Sequence, residues 1–389
     1  MSSDRTHDIV IYGATGFTGE LVAEYLNGVA ADAGVSWAIA GRNPEKLAAV
    51  RERQGLGDEV ATIVADAGDA DAMSAMAAST RLVIATAGPY LRSGEAVVKA
   101  CAENGTDYVD LCGEADFMRA MLDTYADTAA ASGARIVFSC GFDSLPSDLG
   151  VYLAQKTAIE RTGAPISYVK GRVLDFAGGA SGGTIASIGS TIQHAMSDPE
   201  IAKLLGSPYA LTPGFEGPRQ PDGDTPRYDE EYDAWATAFV MASINTKSVH
   251  RSNLLLGHMY GDDFLYDEMI ATGPGDEGKA AAEALAKSGG IDMSGDLPAP
   301  GEGPSLEERE AGHFTIRYHG ATPSGAEVSV TVKGFKDPGY GCTSQMITQS
   351  ALTLLDADAA PGFWTPAAAM GDALIDRMTA TGVLSFDVA

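Results

Sequence analysis

The sequence predicts an α/β fold, a doubly wound parallel sheet followed by an α+β domain with an antiparallel sheet. Three observations predict it. Short apolar runs alternate with helix-like segments as far as about Gly150. A glycine turn, Gly13-Ala-Thr-Gly16-Phe-Thr-Gly19, joins the first run to the first helix. After Gly150, several segments alternate apolar and polar residues with period 2, the pattern of strands with one wet face.

The first run is Ile9-Val-Ile-Tyr12, and the helix after the turn carries apolar residues at Phe17, Leu21, Val22, Tyr25 and Leu26. Strand, glycine turn and helix in that order make a dinucleotide site of Rossmann type. Gly13, Gly16 and Gly19 let the chain turn tightly and let a pyrophosphate approach, with Thr15, Phe17 and Thr18 in the same cradle. The helix start adds N–H groups and a positive dipole end. The spacing is G-x-x-G-x-x-G rather than the strict fingerprint. The second run, Trp37-Ala-Ile-Ala40, leads into Gly41-Arg42-Asn43-Pro44. An acidic residue there would take the ribose hydroxyls of NAD, whereas an arginine fork suits a 2′-phosphate. The cofactor is therefore read as NADP(H), bound by Arg42 with Asn43 and Lys46 beside it.

Residues 61–65 form the third strand and end at Asp66, placed either to bond an adenine amino group or to cap the next helix. Residues 81–87 form the fourth. Its exit, Ala87-Gly88-Pro89-Tyr90, falls where the carboxyl ends of the strands meet the cofactor. Residues 108–111 form the fifth, with Asp110, Gly113 and Glu114 at or just past its end. Residues 135–138 form the sixth and leave through Cys140-Gly-Phe-Asp143-Ser144-Leu-Pro-Ser-Asp148. Further on, residues 166–173 read as a strand and a helix opens at Ser181-Gly-Gly-Thr184. Residues 206–231 read as a lid or mobile surface loop, and 239–256 as one or two strands. Residues 289–312 read as a second polar loop. Residues 314–318 and 328–332 make an antiparallel hairpin. Thr365-Pro366 caps a last helix that Gly382 stops. The domains are read as 1–148, the NADP-binding part; 149–342, the substrate part; and 343–389, helices packing back on the first.

The bulk numbers exclude several classes. With 389 residues, about two domains are expected. A net charge of −27 argues against nucleic acid and against electrostatic docking on anionic lipid, since both are polyanions. The four cysteines, Cys101, Cys112, Cys140 and Cys342, have no metal-ligand spacing and read as reduced thiols of a cytoplasmic protein. No apolar run reaches the ~18 residues of a membrane span.

Beyond the glycine turn, the chain carries AGRN at 40–43, AGPY at 87–90, YVDLCGE at 108–114 and GFDSLPSD at 141–148. It also carries SGGT at 181–184, Trp235 with Phe239, HRS at 250–252, PGY at 338–340 and TPAAAMG at 365–371. With these the chain resembles the saccharopine dehydrogenase-like oxidoreductases, above all the trans-acting enoyl reductase branch, over nearly its whole length. The resemblance implies an NADP-linked reductase with a Rossmann domain and a separate substrate domain.

Hydride transfer needs donor and acceptor carbons about 3–3.5 Å apart and a group to meet the charge that develops. Tyr90 at the fourth strand's exit, and Asp143 with Ser144 at the sixth's, are the catalytic candidates. Arg251 and Tyr266 are the candidates for binding substrate, Arg251 through bidentate pairing with a carboxylate or phosphate. No metal site is expected. The first reading is NADPH-dependent reduction of an enoyl or related unsaturated, lipid-like acyl substrate, a small molecule or an acyl thioester. Saccharopine-type C–N oxidoreduction on an amino acid is an alternative, as is a non-catalytic NADP-binding sensor or scaffold. A homo-oligomer and peripheral membrane contact stay open.

Overall fold

The computed structural model describes residues 5–179, 182–288 and 302–389. The first half alternates strand and helix: β1 His7–Tyr12, α1 Phe17–Ala33, β2 Trp37–Gly41, α2 Pro44–Arg53, β3 Ala61–Val64, α3 Ala70–Ala78, β4 Thr80–Ala85, α4 Tyr90–Asn104, β5 Asp107–Asp110, α5 Ala115–Ser132, β6 Arg135–Val137 and α6 Leu145–Thr162. The second half runs β7 Tyr168–Ala177, α7 Gly182–Ser197, α8 Pro199–Gly206, β8 Arg227–Asp229, β9 Ala234–Ala238, α9 Ala242–Leu255, β10 Leu265–Gly273, α10 Gly275–Lys287, α11 Leu306–Ala311, β11 His313–Ala321 and β12 Glu327–Gly334. A π-helical turn Pro338–Cys342, α12 Thr343–Asp356, β13 Gly362–Trp364, α13 Pro366–Ala380 and β14 Leu384–Val388 complete it.

The first sheet is parallel throughout, in the order β13-β6-β5-β4-β1-β2-β3. Its strands bury alternate residues on opposite faces. Ile9, Ile11, Ile39, Leu82 and Ile84 enter one core, while Val10, Tyr12, Ala38, Ala40, Val83 and Ala85 enter the other. Helices cover both faces, which is why the strands read as nearly continuous apolar runs. The order reverses between β1 and β4, so a crevice opens there at the carboxyl ends of the strands.

The second sheet has the order β14-β12-β11-β7-β10-β9-β8. The expected hairpin is present as β11 and β12, paired from Phe314 opposite Gly334 to Ala321 opposite Glu327. The sheet is mixed rather than purely antiparallel, because β7 and β10 run parallel. The last segment serves both sheets. β13 adds to β6 and α12 packs on α1, with Gln349 donating to the Tyr25 hydroxyl at 2.9 Å, whereas β14 pairs with β12.

Two expectations fail. Residues 242–255 are helix α9, not strand. The helix buries Asn245, Lys247, Ser248, His250, Arg251, Ser252 and Asn253, so no apolar stripe marks it in the sequence. Of the polar loop read at 289–312, residues 289–301 lie outside the described residues. Residues 306–311 form α11, opened by a capping box between Ser305 and Glu308.

Candidate active site and cofactor cradle

The glycine turn has physical reasons at two of its positions. Gly13 sits at φ +90°, a conformation side chains rarely adopt. A Cβ on Gly19 would run into the Gly13 carbonyl oxygen and come within 2.7 Å of Thr86 Oγ1. Gly16 is the N-cap of α1 and brings no capping side chain, so the first-turn N–H groups stay available to an anion. Gly16, Phe17 and Thr18 line a cavity of about 530 Å³. The Phe17 ring meets Tyr340 edge-on, with centroids 5.2 Å apart, and so ties the cradle to the π-helical turn.

At the other end of the crevice, Tyr12, Arg42 and Asp66 gather at the tips of β1, β2 and β3. Burial and the Asp66 charge push the Tyr12 phenol up, and Arg42 pulls it down. Arg42 is exposed beside α2. Asn43 uses its side-chain oxygen to cap that helix, accepting from Lys46 N at 2.8 Å. Asp66 does not cap α3. It accepts from Gly68 N, and Asp69 is the cap. The residues present therefore fit NADP. A side-chain-free cradle stands at a helix start, and an exposed guanidinium stands where a 2′-phosphate would come.

The exits of β4, β5 and β6 converge at the cavity. Glu114 caps α4, accepting from Tyr90 N at 2.9 Å and Leu91 N at 2.8 Å. Asp143, half-buried, lines the cavity beside Gly113, where an added Cβ would lie 3.3 Å from Asp143 Oδ1. Burial, reinforced by the Glu114 charge, raises the Asp143 carboxyl to about 7. Asp110, behind it, is also raised to about 7 by burial, although Cys112 N, Ser139 N and the Tyr108 hydroxyl all donate to it. From the second half come α7 as far as Ile192, Val240, Met241, Ser243, Ile244 and Tyr340. No Arg, Lys or His lines this cavity among the described residues.

Residues 9–137 match the saccharopine dehydrogenase NADP-binding domain family. A Mycobacterium ulcerans protein named trans-acting enoyl reductase is 37% identical over 98% of this chain and 98% of its own. The chain belongs to the trans-acting enoyl reductase family. A Mycobacterium tuberculosis protein of the same name is likewise 37% identical over 98% of each chain. Apo saccharopine dehydrogenase (L-Glu forming) from Saccharomyces cerevisiae shares the fold, with a TM-score of 0.55 at 13% identity over 98% of this chain and 99% of its own. This family member is an NADP-dependent oxidoreductase.

Several expected site residues have other work in this enoyl reductase relative. The Tyr90 hydroxyl donates to Ala85 O at 2.9 Å and accepts from Leu111 N at 3.1 Å, and its ring packs on Phe117. Its hydroxyl proton goes to backbone, so the side chain that lines the cavity also braces β4 against the β5 exit. Tyr90→Phe is expected to lower stability by about 1–3 kcal/mol, from the half-buried Leu111 N–H and the Ala85 carbonyl losing their partner, with turnover within a few-fold of wild type. Thermal unfolding and steady-state rates check both. Ser144 is fully buried, bonded to Asn245 Oδ1 and Ser248 Oγ at 3.1 Å each, and does not line the cavity. Arg251 is buried and donates to Leu211 O and Phe363 O, both at 2.8 Å, so it fastens α9 to β13 and does not line the cavity. Tyr266 is buried with its hydroxyl donated to Glu268, and both residues line a second cavity. Reading the residues singly missed Tyr340, which meets Thr184 Oγ1 at 2.6 Å across the cavity. Its PGY motif was visible, but its role depends on α7 coming to it. Four buried free thiols and no metal-holding cluster appear among the described residues, and no described helix is long and apolar enough to cross a membrane.

Proposed function

We propose that the chain catalyses NADPH-dependent reduction of an enoyl group on an acyl thioester. The observation that carries this is the lining of the cavity. Its charged side chains are Glu114, Asp143 and Glu302, without a cation among the described residues. An amino-acid substrate of the saccharopine kind carries three carboxylates and needs several Arg or Lys to hold them. A neutral acyl chain does not, and the relatives' printed names point the same way.

The glycine cradle and Arg42 would hold NADPH, which would supply the hydride. The chain's own part is binding, orientation and the proton. Addition at the β carbon leaves negative charge on the α carbon and thioester oxygen. Asp143, protonated up to about pH 7, holds a proton at a carboxyl oxygen inside the cavity. Glu114 fixes the start of α4 and keeps the neighbouring charge that helps hold Asp143 neutral.

The test is NADPH oxidation with a panel of enoyl thioesters, run beside amino acid and oxo acid pairs. Oxidation with an enoyl thioester, with the saturated thioester as product, is expected. Oxidation only with an amino acid and an oxo acid would replace this reading by C–N chemistry. Tight NADPH binding without turnover across the panel would leave a sensor or scaffold.

A further inference from the structure

A second, larger cavity abuts the first. It is about 1470 Å³, above the ~300–1,000 Å³ of ordinary small-molecule pockets. Residues 206–221, α8 and the first turns of α9 wall it, and Val240 and Ser243 line both cavities. One helical turn beyond Ser243 stands Lys247, 6% exposed and lining the larger cavity. Its ammonium donates to Ser243 O at 2.5 Å. An ammonium has three protons to give. Among the described residues it makes no other hydrogen bond, and no carboxylate lies within 4.0 Å. Burial lowers it to about 8, opposed by Asp224, so it remains largely cationic at neutral pH.

A buried ammonium without a counter-ion is unfavourable. The shortage is not one of carboxylates, since the chain carries −27. The buried carboxylates of this cavity are committed elsewhere, Asp267 to Arg172 and Arg227, and Glu268 to Tyr266 and Asn245. Asp224 is exposed. Arg119, Lys203 and Arg219 also line the larger cavity, but Lys247 is the cation bonded to Ser243, which lines both cavities, and no cation lines the first among the described residues.

We propose that Lys247 anchors the phosphate ester of the thioester arm at the edge of the larger cavity, so that the arm runs past Val240 and Ser243 and brings the thioester and its acyl end to Asp143. The proposal rests on the enoyl-thioester reading. Coenzyme A and a carrier-bound arm share this phosphate chemistry.

The experiment compares three enoyl thioesters on wild type and Lys247→Met: of coenzyme A, of phosphopantetheine, and of N-acetylcysteamine, which lacks phosphate. Methionine keeps the stem and removes a buried charge, so folding is expected to hold, and thermal unfolding checks it. KM for both phosphate-bearing thioesters is expected to rise by at least about tenfold more than KM for the phosphate-free one. The kcat values should move little, and Lys247→Arg should recover part of the loss. An equal change on all three, or a change confined to coenzyme A, overturns the proposal. If wild type reduces none of them, the reductase reading has failed separately. Calorimetric titration of phosphopantetheine into the NADPH-loaded protein then decides the anchor. Binding that Lys247→Met abolishes supports it, and no binding, or equal binding, overturns it.

Discussion

Asp143→Asn is expected to lower kcat by about 10²–10⁴-fold, the span typical of losing a positioned general acid, while NADPH binds as before. The wild-type profile carries the sign. The Asp143 carboxyl is raised to about 7, so it holds its proton below that pH and loses it above. Turnover should fall as pH rises through about 7, and that limb should vanish in the variant. Stability moves in the same direction. A carboxyl whose folded value lies above its ordinary 3.8 adds stability that is fully present below 3.8 and lost as pH rises through about 7. Wild type should therefore lose more Tm between pH 6 and pH 8 than Asp143→Asn does. A variant whose pH–rate profile superimposes on wild type would remove Asp143 from the chemistry. Asparagine is nearly isosteric and fits beside Gly113, so a rate loss would report the proton rather than the packing.

Arg42→Ala is expected to weaken NADPH by about 10–100-fold, as loss of a charge-assisted contact to phosphate implies, and to leave NADH nearly unchanged. The side chain is exposed, so the effect should shrink as ionic strength rises. Titration following energy transfer from the tryptophans to the reduced nicotinamide measures both constants. Equal weakening of the two cofactors would sink the 2′-phosphate role. Lys46 stands exposed in the first turn of α2, and its backbone N–H is held by Asn43. Adding Lys46→Ala should therefore deepen the NADPH loss through charge alone.

The cofactor half of the site was legible because its physics is local. A glycine is needed at 13 for its backbone angle and at 19 for a close approach six residues away in sequence, and both requirements leave a visible spelling. Arg42 follows the second strand directly, so its position comes with the strand. The catalytic half was legible only as a set of candidates. Tyr90, Asp143 and Ser144 all follow strand ends. Where each hydroxyl proton goes depends on its acceptor in the fold, Ala85 O for Tyr90 and Asn245 Oδ1, far along the chain, for Ser144. Arg251 looked like an anion-binding group because nothing in its own neighbourhood shows that Leu211 and Phe363 carbonyls wait for it.

By itself, the sequence determined the alternating strand and helix order, the glycine cradle, the preference for a phosphorylated ribose and the family. These follow from periodicity, backbone angle and charge at single positions. Only the tertiary structure decided that the tail is divided between two sheets, that α9 is a helix, and that the Tyr90 hydroxyl is bonded to backbone while Asp143 lines the cavity. It alone placed Lys247, without a carboxylate partner among the described residues, in the larger cavity beside Ser243, which lines both. Those outcomes depend on which distant groups satisfy each buried donor and acceptor, and on how far burial shifts a carboxyl or an ammonium. Both are set by packing between residues that the chain order keeps apart.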